Sequence, residues 1–158
     1  MRILGIDPGI SLTGWGIIDT SYNKIISAVK YGYIKTTSSK SLAERLKIIN
    51  IELQLIINKY KPHVAAIEEL FFLKNLKNVV LVTQARGAII LTASMNDISV
   101  FEYNPKIVKM ALTGYGSACK NQIQCMVKVF LKLEEIPKPD DVADALAVAI
   151  CHANIMKI

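Results

Sequence analysis

Three short apolar stretches parted by turn residues open this chain, and helical patterns then alternate with strand patterns to its end. That order constrains the fold more than any single residue does. Met1 to Asp7 reads as a first strand, broken by Pro8-Gly9. Thr13 to Ile18 and Ile25 to Ile34 follow, separated by the Ser21-Tyr22-Asn23 turn, and such short spacers predict an antiparallel meander. Gly14 and Gly16 share one face of the second strand and leave it bare, which permits close approach of a neighbour.

Ser38 to Tyr60 is predicted helical. Ser41 and Glu44 match a capping box, Leu42, Leu46, Ile49, Leu53 and Ile56 recur at helical spacing, and Lys61-Pro62 ends the segment. Val64 to Glu68 is almost continuously apolar, as central parallel strands are. Leu76 to Met95 is a second long helix, apolar nearly all round, which predicts burial on more than one side. Ile98 to Glu102 is a fifth strand. A short helix from Asn104-Pro105 through Ala111, the Thr113–Ser117 loop, a helix over Lys120–Leu133 and a closing helix over Asp140–Met156 complete the chain. The expected architecture is α/β: a five-stranded mixed sheet flanked by helices on both faces, with ribonuclease-H-like topology. All 158 residues fit one domain.

Asp7 ends the first apolar run, where a carboxylate is expensive to desolvate. Glu68 ends the strand expected beside it. Parallel neighbours ending together place both acids at one sheet edge, where ligand sites of open α/β sheets gather. Asp141 and Asp144 are three apart on the closing helix and share a face. If that helix crosses the edge, all four carboxylates converge. They cannot all ionise without a counter-charge. Oxygen-only ligands favour Mg²⁺, with Mn²⁺ as a substitute, and two such ions can activate a water and stabilise the leaving oxygen of a phosphodiester. Each acid also has a plainer explanation as a turn, strand-end or first-turn charge; Asp140 reads as an N-cap outside the metal set.

The formal charge of +6 suits a polyanionic partner, although lysine richness for solubility explains it equally. No apolar run approaches the ~18 residues that span a bilayer, and Asp7 interrupts any signal-peptide pattern, so the expectation is a cytoplasmic protein with no membrane partner. Cys119, Cys125 and Cys151 are expected as reduced core thiols. Only His63 and His152 add soft ligands, which argues against structural zinc.

Gly5-Ile6-Asp7-Pro8-Gly9 with Thr13-Gly14-Trp15-Gly16 resembles the opening of the RuvC family of bacterial Holliday-junction resolvases. So do Ala66–Phe71, Gln84-Ala85-Arg86-Gly87, Gly114–Ala118 and Asp141–Ala147, in order over almost the whole chain. The resemblance implies a homodimeric endonuclease that cuts two opposing strands of a four-way junction with Mg²⁺ or Mn²⁺, leaving 5′-phosphate and 3′-hydroxyl nicks. It implies Asp7, Glu68, Asp141 and Asp144 as metal ligands and the RuvA–RuvB branch-migration complex as partner. YqgF-like nucleases open similarly, but the Gln84–Gly87 and Asp141–Ala147 segments favour RuvC.

Small residues Ala85, Gly87 and Ala88 on the second long helix suit a two-fold dimer contact or, equally, packing within one subunit. Phe71 and Phe72 follow Glu68; an exposed one would wedge into a junction, with Phe71 favoured by the resemblance, and two core phenylalanines are the alternative. Lys74, Lys77, Lys106, Lys109 and Lys120 flank the expected site; Lys74, Lys77, Lys109 and Lys120 are the expected DNA contacts, and Lys120 opens a helix after a glycine-rich loop, a phosphate-binding position. The rival functions are a single nucleotide-binding domain of the actin and sugar-kinase type, which would need a second such domain to enclose ATP, and an inactive junction-binding module.

Overall fold

A computed structural model describes residues 1–21, 25–69 and 76–156, without the side chains of 76 and 77. Five strands form one sheet: β1 (Arg2–Asp7), β2 (Leu12–Thr20), β3 (Ile26–Lys35), β4 (Val64–Glu68) and β5 (Ser99–Tyr103). Their spatial order is β3-β2-β1-β4-β5. β2 lies antiparallel to both β1 and β3, whereas β4 runs parallel to β1 and β5 parallel to β4. The predicted meander and the mixed sheet are therefore both present.

Five helices cover the two faces: α1 (Leu42–Tyr60), α2 (Leu76–Ser94), α3 (Pro105–Thr113), α4 (Lys120–Leu131) and α5 (Asp140–Ile155). One core lies between the sheet and α1–α2, built on Leu4, Ile6, Ile17, Ile49, Leu53, Ile67 and Ile89. The other lies beneath α3–α5, built on Ile3, Ile18, Ala66, Val127, Leu146 and Ile150. This is the ribonuclease-H-like arrangement.

Helix α1 begins at Leu42 rather than Ser38, because the capping box itself sets the start: Ser41 Oγ accepts from the Glu44 N–H while the Glu44 carboxylate accepts from the Ser41 N–H. Asp140 is not the N-cap of α5. Pro139 holds that position, and Asp140 is the first helical residue, turned toward α4. The cysteines are free, but only Cys151 is in the core; Cys119 caps α4 and is exposed, as is Cys125. Burial of α2 is also narrower than its composition suggests. Ala85, Ile89, Thr92 and Ala93 face inward, while Val80 and Leu91 lie exposed, as does Met95 just past the helix end, because one layer of α1 and sheet covers a single side of the helix. No helix among the described residues is long and apolar enough to cross a membrane.

Candidate active site

Strand parity decides which face each acid joins, because successive side chains point to opposite sides of a sheet. β1 sends Leu4 and Ile6 to the α1–α2 core, and Ile3 and Gly5 to the α5 side. Asp7 continues the second set. β4 sends Ala65 and Ile67 to the α1–α2 core and Ala66 to the α5 side, so Glu68 faces α5 as well. The last registered pair of these parallel strands is Ile6 with Ile67. One step beyond it, Asp7 and Glu68 stand abreast.

Helix α5 reaches that edge because the sheet beneath it lacks side chains. A Cβ on Gly5 would strike the Ala145 carbonyl and the Ala149 methyl; on Gly14, the Asp141 carbonyl; on Gly16, the Leu146 side chain. The bare face expected at Gly14 and Gly16 thus extends across β1 to Gly5, and alanine-rich α5 lies directly in it. Gly14 is also the cross-strand partner of Asp7. Its contact with Asp141 therefore brings the first turn of α5, and with it Asp141 and Asp144, beside Asp7.

Convergence shows in the electrostatics. Burial, then the charges of Asp144, Glu68 and Asp141, push the Asp7 carboxyl up to about 8. Burial and Asp144 push Glu68 to about 7, with Lys109 and Lys120 pulling the other way. Burial also raises Asp144, partly offset by Lys120. Two carboxyls that keep protons near neutrality have too little counter-charge from Lys109 and Lys120, and the donors offered are all oxygens. Both features fit a hard divalent cation. Among the described residues, no three His, Cys, Asp or Glu side chains are yet drawn around one point as ligands. The cation in place is the Lys120 ammonium, 3.2 Å from Asp144 Oδ2 and 3.3 Å from Asp140 Oδ2.

A cleft of about 270 Å³ opens beside the acids, lined by Glu68, Lys109, Lys120 and Asp144 with Pro105, Val108, Ile123 and Ala147. Lys109 is half-buried in its wall and Lys120 is exposed at its mouth, while Lys106 lies on the exposed side of α3. The predicted contacts Phe71, Phe72 and Lys74, and the Lys77 side chain, lie outside the described residues.

Three supports of the site went unpredicted. Arg45, buried on the apolar face of α1, donates from Nε to Thr36 Oγ1 (2.8 Å) and from Nη2 to Ser11 Oγ (2.8 Å). Thr36 in turn donates to the Ile10 carbonyl, and Thr13 Oγ1 donates to Gly9 O at 2.7 Å, so the turn that follows Asp7 is pinned on both sides. The available signal was Arg45 itself, which sits four residues before Ile49 on the core stripe. Asp140 was set apart as a cap, yet it accepts from Gln124 Nε2 at 3.0 Å as well as pairing with Lys120. Finally, the Tyr103 hydroxyl lies 2.7 Å from His152 Nδ1 in the core, tying α5 to the strand end beside Glu68. Nothing local marked that pair.

Comparison with known proteins agrees with this geometry. The family model described as crossover junction endodeoxyribonuclease RuvC matches residues 3–152. A protein of that name from Endomicrobium trichonymphae is 62% identical over 154 residues, covering 98% of this chain and 81% of the relative. One from Caldicellulosiruptor saccharolyticus is 56% identical over 152 residues, covering 96% and 92%. The structure of T. thermophilus RuvC in complex with Holliday junction substrate superposes with a TM-score of 0.95 at 32% identity, covering 99% of this chain and 95% of that one. With the family match spanning nearly every element that builds the acidic edge, this chain belongs to the RuvC family of crossover junction endodeoxyribonucleases.

Proposed function

We propose that this protein is a metal-dependent endonuclease that resolves four-way DNA junctions in recombination and repair by paired, symmetric phosphodiester hydrolysis. The carrying observation is the meeting of Asp7, Glu68 and the first turn of α5 at one sheet edge, beside a cleft lined by Lys109 and Lys120. A relative solved with a Holliday junction shares this fold over 99% of the chain. A kinase-like domain explains neither the family match nor the acidic edge.

Asp7, Glu68, Asp141 and Asp144 would hold Mg²⁺, or Mn²⁺ in its place, with two ions per subunit. Bound there, the metal supplies Lewis-acid stabilisation of the scissile phosphate and a more acidic water. The residues of the chain do the rest. The glycine floor under α5 sets the spacing of the carboxylates. Burial of Asp7 and Glu68 excludes bulk water and strengthens their grip on a cation. Lys109 and Lys120 attract the phosphate backbone into the cleft. Hydrolysis breaks the bond between phosphorus and the 3′ oxygen and leaves a 5′-phosphate facing a 3′-hydroxyl at each nick, ends that a ligase can join.

Paired cuts require two sites. The exposed apolar side of α2, with Val80 and Leu91 and with Met95 just past its end, supports a homodimer built through this helix. Phe71 and Phe72 would then work at the junction, with Lys74 and Lys77 on its phosphates. The RuvA–RuvB branch-migration complex would deliver that junction in the cytoplasm, and the single domain suffices for all of this.

The test is incubation of the purified protein with a synthetic four-way junction and Mg²⁺, beside linear duplex. Symmetric nicks in the junction alone are expected. Asp7→Asn should cut slower by about a hundredfold or more, with metal-free junction binding kept near neutral pH, where Asp7 already holds its proton, and tightened only above about pH 8, where an ionised Asp7 would repel phosphate. Normal cutting by that variant would place the chemistry elsewhere.

A further inference from the structure

Lys120 breaks a local rule. It is the first residue of α4, whose N-cap is Cys119, and the N-terminus of a helix disfavours a cation. No acid occupies the first turn of α4 to offset it. The compensation comes from another element: α5 packs against α4 with its own acidic first turn alongside, and one ammonium is shared between Asp140 and Asp144. A local conflict resolved only by tertiary contact marks a residue kept for what it does.

The two acids differ. Asp144 is one quarter exposed and belongs to the carboxylate group that raises Asp7 and Glu68. Asp140 is exposed, is not among the charges that raise Asp7 and Glu68 although it does raise Asp144, and is held by α4 through Gln124, one turn beyond Lys120 on the same helix face. Lys120 therefore has one anchor inside the site and one outside it.

We propose that Lys120 is the resident counter-cation of the metal-free carboxylate cluster, and that Asp140 is its holding point when a divalent cation takes Asp144. The inference rests on the metal-site reading above. The cation entering the site must displace the ammonium from Asp144. Without Asp140 the ammonium would either stay on Asp144, in competition, or swing into solvent. With Asp140 it moves by one contact and remains at the cleft mouth, where the phosphate backbone arrives. Asp140 is thus a positioning residue that acts through Lys120.

The experiment titrates the full-length protein with Mn²⁺ alone, without DNA, and reads free Mn²⁺ by electron paramagnetic resonance. Lys120→Met should bind Mn²⁺ about two- to fivefold more tightly, the range expected for losing one partly exposed competing charge. Lys120→Gln repeats the measurement should the methionine variant fold poorly. Asp140→Asn should weaken Mn²⁺ binding by a similar factor, Asp140→Glu should restore it, and the Asp140→Asn effect should shrink to less than half in the Lys120→Met background. Unchanged or weaker binding by both Lys120 variants would overturn the proposal. An Asp140→Asn effect of equal size in both backgrounds would do so too, because Asp140 would then act as a bulk charge. Absence of Mn²⁺ binding by the unsubstituted protein is a different result: it removes the metal reading and this inference together.

Discussion

Helices α5 and α2 are both apolar around most of their circumference, yet they end in opposite situations. Every residue of α5 from Val142 to Ala153 is buried except Asp144. Helix α2 buries Ala85, Ile89, Thr92 and Ala93 and leaves Val80 and Leu91 in solvent. The cause is what each helix meets. α5 is rich in alanine and sinks into a floor of Gly5, Gly14 and Gly16, and α3 and α4 close over it. α2 carries larger side chains over one layer only. An all-round apolar pattern therefore says that something covers a helix. Whether the cover is the same chain or another is told by the size of the side chains and of those facing them.

The harshest way to break the comparison is to fill the floor. Gly5→Val would drive a side chain into the Ala145 carbonyl, backbone that cannot rotate away. Destabilisation of at least about 3 kcal/mol is expected in thermal or urea unfolding. Loss of junction cleavage should accompany it, since α5 carries half of the acids.

The next effect is on pH. The unfolded chain releases carboxyl protons near pH ~4, whereas Asp7 holds its proton to about 8 and Glu68 to about 7 in the metal-free fold. Between those limits the folded state binds more protons than the unfolded one, so stability is full below about pH 4 and falls as pH rises through 7 and 8. On these two groups alone, metal-free protein should lose on the order of a few kcal/mol between pH 5 and pH 8.5. Asp7→Asn should remove much of that slope. Melting curves in a chelator check it, and a flat profile would contradict the shared burial of these acids.

On the α2 side, Leu91→Glu changes a residue 59% exposed. Its effect on the stability of the single chain should stay within about 0.5 kcal/mol, while the mass measured by light scattering should fall from dimer toward monomer. An unchanged mass would leave the apolar side of α2 without its proposed partner. The smallest effect is expected at Gly87, where an added Cβ meets nothing within 4 Å. Gly87→Ala should stabilise α2 by about 0.5–1 kcal/mol through helix propensity. The contrast with Gly5 is the sharpest form of the comparison: the same kind of residue serves close packing under one helix and none within the chain on the other.

Much of this was legible before any coordinates. Periodicity marked each strand and helix to within a few residues; Ser41 and Glu44 announced the start of α1, and Gly14 and Gly16 a close approach. The candidate site acids stood out because Asp7 interrupts an apolar run and because Asp141 and Asp144 share a helical face. Arg45 was harder to see, since a charge on a core stripe is recognisable only once Thr36 and Ser11 are known to meet it. Asp140 was misread as a cap because a helix start is defined by backbone angles, which put Pro139 there. Exposure of Cys119 and Cys125 depends on which side of α4 the sheet lies.

By itself, the order of residues determined the elements, the face each side chain takes within its own element, and the chemical kind of the groups available. Those properties are set by the 2.0- and 3.6-residue periods and by neighbours a few positions away. Only tertiary packing decided that Asp7 and Glu68 lie abreast, that α5 comes down onto Gly5 and Gly14, and that one ammonium joins Asp140 to Asp144. Such distances depend on strand register and on the volume left between elements, which residues far apart in the chain settle together.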